Sequence, residues 1–263
     1  MKFILKSGLL LGFMFLVDHI KAQTTIQPRQ MDYSFGGVLY TDESTFIGGI
    51  HSSGFNLGYR KGVIKKYYLT NFYQLDFGNL KHPKEYHQNL RTQTILHNVS
   101  SGNGFVYGKQ NSFFSLRGGI GAKRYFSEKA KRKGVAVSLT YEGGASVGIT
   151  KPYYIDIKKF NGDRYFLEPT RYTEMNKETF LDIDNIAGAS SFLKGINQLN
   201  IIPGFHAQST LNFSFGDAEQ FVKAFEAGLM VDVYTRKIPI MVSTPNTAFF
   251  INFYVGVEFG KRK

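Results

Sequence analysis

The chain has 263 residues, a formal charge of +12, sixteen Tyr and twenty-five Phe, and neither Trp nor Cys. Its length suits one all-β domain, and the lack of cysteine excludes a disulfide framework and a lipid attached through sulfur. Past the N-terminus no stretch approaches the roughly 20 apolar residues of a membrane helix, so a membrane-spanning form would have to be a closed barrel with every backbone group paired between strands.

Residues 1–22 read as a secretory signal peptide: Met1, Lys2 and Lys6 open it, Leu9 to Val17 form a short apolar run, and Ala22-Gln23 marks the cleavage point. Lys2, Lys6, Lys21 and Asp18 carry +2 of the formal charge into that segment. Residues 23–263 are then the mature domain. An exported chain is not expected to meet nucleic acid, so the excess of basic residues needs another account.

Strands are predicted near 31–40, 45–60, 64–79, 111–126, 134–150, 204–216, 221–235 and 247–260. The last is the clearest. Phe249, Ile251, Phe253, Val255, Val257 and Phe259 alternate with residues that include Asn252, Gly256 and Glu258, so one side meets an apolar phase and the other a polar one. Phe205, Leu211, Phe213 and Phe215 alternate in the same way with His206, Gln208, Thr210, Asn212 and Ser214. A soluble secreted sandwich would turn the apolar side inward, and a membrane barrel would turn it outward.

The connections favour the barrel. Short ones are predicted around Gly62, Ala130 and Ala218, and longer or variable ones at 41–44, 80–110, 151–203 and 236–246, in strict alternation. Short turns at one end and long loops at the other is a barrel asymmetry. The fold expected is therefore an eight-stranded antiparallel transmembrane β-barrel with long extracellular loops, one carrying a short helix.

Alternation assigns each wall position a side. Phe35, Leu57, Leu75, Phe77, Leu116, Ile120, Val137, Leu139, Leu229, Val231 and Val233 are placed toward lipid. Arg60, Asp76, Arg117, Lys123, Glu142, His206, Glu226, Asp232 and Glu258 are placed in the lumen. An eight-stranded barrel is just wide enough for side chains to fill it, and charges buried there are costly unless paired. The expectation is a closed lumen crossed by ion pairs. Asn71, Arg124 and Lys223 fall on the lipid side and belong near the membrane rims, where long side chains reach water. Basic residues gather at the short-turn end: Arg60, Lys61, Lys65 and Lys66, then Lys129, Lys131, Arg132 and Lys133, then Lys261, Arg262 and Lys263. Such a rim suits anionic headgroups or an acidic partner, or is simply solvated.

No catalytic set emerges. His82 and His87 flank Glu85 in a loop, a spacing that does not by itself make a metal site. His97 is isolated, and His51 lies near the extracellular end of a strand. His206 and Ser209 face opposite sides. His206 beside Glu226 or Glu142 could polarise Thr210 or Ser214, against the plainer reading of a hydrogen-bonded core histidine. Gly36-Gly37, Gly48-Gly49, Gly118-Gly119 and Gly143-Gly144 sit in strands, where glycine marks bends, bulges or close approach. Asn98-Val99-Ser100 matches a glycosylation acceptor, a pattern with no bearing on the barrel reading. No cofactor is expected.

Loop 151–203 is the candidate for function, since long loops without purpose or internal structure are uncommon. Tyr153 and Tyr154 continue the alternation of the preceding strand, and Phe192, Leu193, Ile196 and Leu199 fall at near-helical spacing. A short helix is predicted near 189–199, laid over the barrel mouth or a neighbour. These six residues form the candidate docking loop.

Several stretches carry a resemblance: Tyr107-Gly108-Lys109, Ser115-Leu116-Arg117-Gly118-Gly119-Ile120-Gly121, Gly144 to Tyr154, Phe192-Leu193-Lys194-Gly195, Lys223 to Gly228, Lys237 to Met241, and Phe259-Gly260-Lys261-Arg262. Together they resemble a family of outer-membrane β-barrel proteins found in Bacteroidetes, over most of the mature chain. The resemblance implies a barrel fold and an outer-membrane location, and no activity or site residue. The function expected is a non-enzymatic structural or accessory component of an outer-membrane assembly, in contact with the bilayer and with another outer-membrane protein. The alternatives are a lipid-modifying enzyme with His206 or His87 as base, and a narrow channel.

Overall fold

The computed structural model describes residues 40–66, 68–88, 104–126, 134–161, 164–215 and 220–263. The signal peptide, nearly all of the strand predicted at 31–40 with Phe35 and Gly36-Gly37, His97, Asn98-Val99-Ser100, the basic cluster 129–133, Ala130 and Ala218 lie outside those residues.

Eight long strands close into one antiparallel barrel: β1 (Asp42–His51), β2 (Gly54–Lys66), β3 (Leu69–Asn79), β6 (Asn111–Tyr125), β7 (Ala136–Pro152), β11 (Asn200–Ser214), β12 (Phe221–Tyr234) and β13 (Phe249–Arg262). Each pairs with its sequence neighbours in this set. β1 and β13 seal the ring from Glu43↔Arg262 to His51↔Tyr254. Between the wall strands lie β4 (His87–Gln88), β5 (Phe105–Val106), β8 (Tyr154–Asn161), β9 (Arg164–Arg171), helix α1 (Lys177–Leu181) and β10 (Ile186–Ala189).

The wall is inverted relative to a soluble barrel. In β11 every even position from Ile202 to Ser214 is buried and every odd one from Ile201 to Phe213 is exposed. The buried row includes His206, Gln208, Thr210 and Asn212, and the exposed row Phe205, Leu211 and Phe213. Around the ring Leu57, Leu75, Phe77, Leu116, Ile120 and Leu229 also point outward. Asn71, Arg124 and Lys223 are exposed too, near the strand ends at the short-turn rim.

Three predicted boundaries are corrected. The strand predicted at 45–60 is a hairpin: β1 ends at His51, Ser52-Ser53 make the turn, and β2 starts at Gly54. His51 Nδ1 accepts a hydrogen bond from the Ser53 amide at 3.2 Å, and Ser52 Oγ donates to Asn252 Oδ1 at 3.0 Å. A two-residue turn leaves so short a break in an alternating run that it reads as strand. The turn predicted at Gly62 does not exist, because Gly62 sits inside β2 opposite Glu43 and Phe72. The chain reverses instead between Lys66 and Leu69. Likewise 41–44, predicted as a loop, opens β1. The long connections still share one rim, joined there by the tight Ser52-Ser53 turn.

Long connections build two layers above the wall. At the mouth, Leu80, Val106, Phe113, Ile202, Tyr234, Ile238, Ile240, Met241 and Phe250 form one buried apolar cluster. Phe113 meets the ring of Tyr234 edge-on at 5.1 Å. The segment after β12 is pinned there by Asn246, whose Oδ1 accepts from the amides of Ile240 and Met241 and whose Nδ2 donates to Met241 O. Above it a three-stranded sheet, ordered β10-β8-β9, encloses a second core of Phe105, Ile155, Ile157, Phe180 and Ile186.

The helix predicted near 189–199 is displaced. That span holds the end of β10 and a 3-10 turn at Ile196–Gln198, while α1 lies earlier, at Lys177–Leu181. Gly195, at φ 85°, adopts the left-handed conformation that ends helices and does not continue them.

Candidate functional site

Lumen and cap are the two places where this chain concentrates chemistry. In the lumen, Arg60 of β2 reaches Glu226 of β12 and Glu258 of β13, each at 3.1 Å from Nη1. Its Nε donates to Gln74 Oε1 at 2.7 Å, and its guanidinium lies 4.7 Å from the centre of the Phe72 ring. Glu258 also receives Lys123 of β6 at 2.9 Å and the Thr45 hydroxyl at 2.9 Å. Asn212 Nδ2 donates to Glu226 Oε1 at 2.8 Å. Lys123, Glu226 and Glu258 are each 0% exposed. β6 and β13 stand four places apart around the ring of eight, so the Lys123–Glu258 pair ties opposite walls.

Nearer the mouth Arg117 of β6 grips Asp232 of β12 at two points. Asp76 neighbours Arg117 in strand register and takes two 3.5 Å hydrogen bonds from Asn56 Nδ2. His206 lies apart from the Arg60 group, with Nε2 3.7 Å from Glu142 Oε1. Thr210 instead engages the Tyr254 hydroxyl and Gln208. The structure thus places Arg60, Asp76, Arg117, Lys123, Glu142, His206, Glu226, Asp232 and Glu258 inside the wall, in separate layers.

Glu43 and Arg262 belong to the same lumen chemistry and were missed from sequence. Glu43 Oε2 accepts from Arg262 Nε at 2.8 Å, and its Oε1 lies 3.5 Å from Lys123. Both residues sit just outside the strand limits drawn from the alternation. Correct placement of the Ser52-Ser53 turn would have recovered Glu43.

The cap contains the remaining candidates, in different surroundings. Tyr153 packs against the cap core, its hydroxyl accepting from the Val106 amide at 3.2 Å and its ring 5.3 Å below the Lys109 ammonium. Burial raises its phenol above the usual range, with the Glu85 carboxylate adding to the shift. Lys109 pairs with Glu85. Tyr154 points the other way and donates to Gln198 Oε1 at 2.9 Å. Phe192, Leu193, Ile196 and Leu199 are all exposed. The six do not make one surface. His87 is exposed on β4, and His82 Nδ1 accepts from the Lys84 amide. Among the described residues no cluster of three or more His, Asp or Glu is arranged to hold a metal ion.

A closed barrel with a charged, side-chain-filled interior and an apolar exterior is a transmembrane β-barrel of the outer-membrane type. The chain matches no protein-family model and no curated protein. Among solved structures it is similar to Ail, the attachment invasion locus protein of Yersinia pestis, at 10% identity over 86% of this chain and 100% of that one, with a TM-score of 0.40. It is similar also to Neisserial surface protein A, at 8% identity over 85% and 97% with a TM-score of 0.37. The N-terminal β-barrel domain of Pseudomonas aeruginosa OprF follows at 11% identity over 84% and 97%, with a TM-score of 0.32. The membrane-spanning reading rests on the chain's own wall and lumen.

Proposed function

We propose that this is a bacterial outer-membrane protein, exported by its N-terminal segment, that acts without catalysis as an accessory component of an outer-membrane assembly. The cap carries this reading. It has its own apolar core, independent of the mouth cluster, and it projects the β8–β9 hairpin, on whose outer strand the successive residues Phe166 and Leu167 are both about half exposed, at 50% each. Adjacent strand residues face opposite sides, so both faces of the hairpin lack cover. β9 is also an edge strand, with backbone groups free to pair with another chain.

A second outer-membrane protein laid along β9 would cover Phe166 or Leu167 and complete the sheet. A channel fits poorly with a lumen spanned by Arg60, Lys123 and Glu258 and topped by Ile238 and Ile240. A lipid-modifying enzyme fits poorly with His206 buried beside Glu142, its Nδ1 hydrogen-bonded to no hydroxyl. Affinity purification in mild detergent at native expression tests docking. Co-purification of one stoichiometric membrane partner, lost on Phe166→Asp, is expected. Recovery of the protein alone would overturn it.

A further inference from the structure

Lys151 occupies an outward position on β7, two residues beyond the outward Ile149, yet it is only 5% exposed. What covers it is the loop after β10. Lys151 Nζ donates to the carbonyls of Phe192 at 2.5 Å and Lys194 at 3.4 Å, and sits 4.0 Å from the centre of the Phe192 ring. Phe192 meets Phe114 of β6 edge-on at 6.5 Å, and Phe114 stacks on Phe77 of β3 at 6.0 Å. The loop therefore lies against the outside of the barrel at its long-loop rim, and its aromatic ring extends the apolar outer wall. It is no lid, for the mouth is filled by Ile238, Ile240 and Met241.

We infer that residues 191–201 form an interfacial anchor whose apolar side chains enter the lipid leaflet surrounding the long-loop end of the barrel. The occupant of this surface is lipid, an inference that rests on the membrane-spanning reading above. Phe192 (63% exposed), Leu193 (70%) and Ile196 (46%) project from the loop, and Ile201 (65%) continues them on the outward row of β11. That face is continuous with the wall that meets acyl chains.

The backbone of the loop suits a water-poor boundary, where unpaired polar groups are costly. The amides of Lys194, Ile196 and Gln198 donate to Ser191, Leu193 and Gly195 carbonyls within the loop, and Lys151 takes those of Phe192 and Lys194. Gly195 allows the close fit, since a Cβ there would lie 3.0 Å from the Tyr154 ring. Exposed Lys194 sits among the apolar residues, where its long stem can lie in the boundary while the ammonium reaches headgroup phosphates.

The chain has no Trp, so each introduced Trp is a single fluorescent probe. Phe192→Trp, Leu193→Trp, Ile120→Trp midway along the wall, where its register partners Tyr73 and Gly143 are also mid-strand, and Met175→Trp at a fully exposed position of the cap are each refolded into phosphatidylcholine vesicles brominated at a shallow or a deep acyl position. Expected are loss of most emission from Ile120→Trp with deep bromines, and a blue-shifted emission from Phe192→Trp and Leu193→Trp, quenched chiefly by shallow ones. Met175→Trp should respond only to aqueous acrylamide. Phe192→Trp and Leu193→Trp behaving like Met175→Trp, with Ile120→Trp quenched, would overturn the anchor and leave the barrel intact. An unquenched Ile120→Trp would instead overturn the membrane-spanning reading, and the anchor with it. If Phe192→Trp loses its heat-dependent gel shift, the more exposed Leu193 position decides the matter. Because the vesicles hold no other protein, bromine quenching cannot come from a docked partner.

Discussion

Arg117 on β6 and Asp232 on β12 meet across the lumen in a two-point contact, Nε to Oδ1 at 2.7 Å and Nη2 to Oδ2 at 3.0 Å. Both side chains are 0% exposed. Removing one member of such a pair leaves an uncompensated buried charge and costs about 3–5 kcal/mol, whereas an apolar pair of similar volume is often tolerated. Arg117→Met is therefore expected to lower the stability of the folded barrel in urea by that order, and Arg117→Met with Asp232→Leu to recover most of it. Asp76, beside Arg117 in register, loses its nearest cation in either variant, so recovery should be incomplete. A double-variant loss equal to the sum of the losses of Arg117→Met and Asp232→Leu taken singly would show that the pair is not coupled.

Glu258 is the junction of the lower layer, receiving Arg60, Lys123, Thr45 and Asn212. Glu43 bridges Lys123 to Arg262, which is 21% exposed and can turn to water. Glu258→Gln should consequently cost more than Glu43→Gln, because two buried cations lose their shared anion and partly exposed pairs are worth only about 0–1 kcal/mol. Side-by-side urea titrations check the ranking, and the reverse order would mean that water reaches the lower lumen.

Much of this architecture was legible in the sequence because the wall obeys a period of two. Parity sets Arg60, Lys123, Glu226 and Glu258 on the polar side of their strands, and the alternation of short and long connections then makes that side a lumen and not the outside of a soluble sandwich. Pairing partners were not legible. Lys123 and Glu258 meet only because of how far the ring closes, which depends on every register between them. Parity also fails where a turn is short: Ser52-Ser53 interrupts an alternating run so briefly that β1 and β2 read as one strand. In the cap, the spacing of Phe192, Leu193, Ile196 and Leu199 imitates a helix, whereas Gly195 turns the chain left-handed.

Gly54 is the glycine that the Ser52-Ser53 turn requires. Its φ of 155° is one that other residues rarely adopt, and a Cβ there would come within 2.4 Å of the Asn79 carbonyl oxygen. Asn79 Oδ1 meanwhile accepts the Phe55 amide at 3.0 Å, fixing the start of β2 against the end of β3. Gly54→Ala should cost about 1–3 kcal/mol through backbone strain, with added cost if Asn79 is displaced. Ser53→Ala, which keeps the backbone free, should change little. Urea midpoints for the two variants check this, and parity between them would mean the turn relaxes without strain.

The cap core and the mouth cluster share no buried residue, which predicts that one can loosen without the other. Phe180, 1% exposed and edge-on to Tyr172 at 5.6 Å, is the largest side chain of α1 and anchors it beneath the sheet. Phe180→Ala removes that anchor, a change that costs about 3–5 kcal/mol in packed cores. Since the wall hydrogen bonds run continuously from β1 to β13 without the cap strands, the loss should fall on the cap. Protease should cut the connection between β7 and β11 faster in this variant, while the temperature of the heat-dependent gel shift stays where it was. If both change together, the cap is part of the barrel's folding unit, and a partner bound to β9 would stabilise the whole protein, not the cap alone.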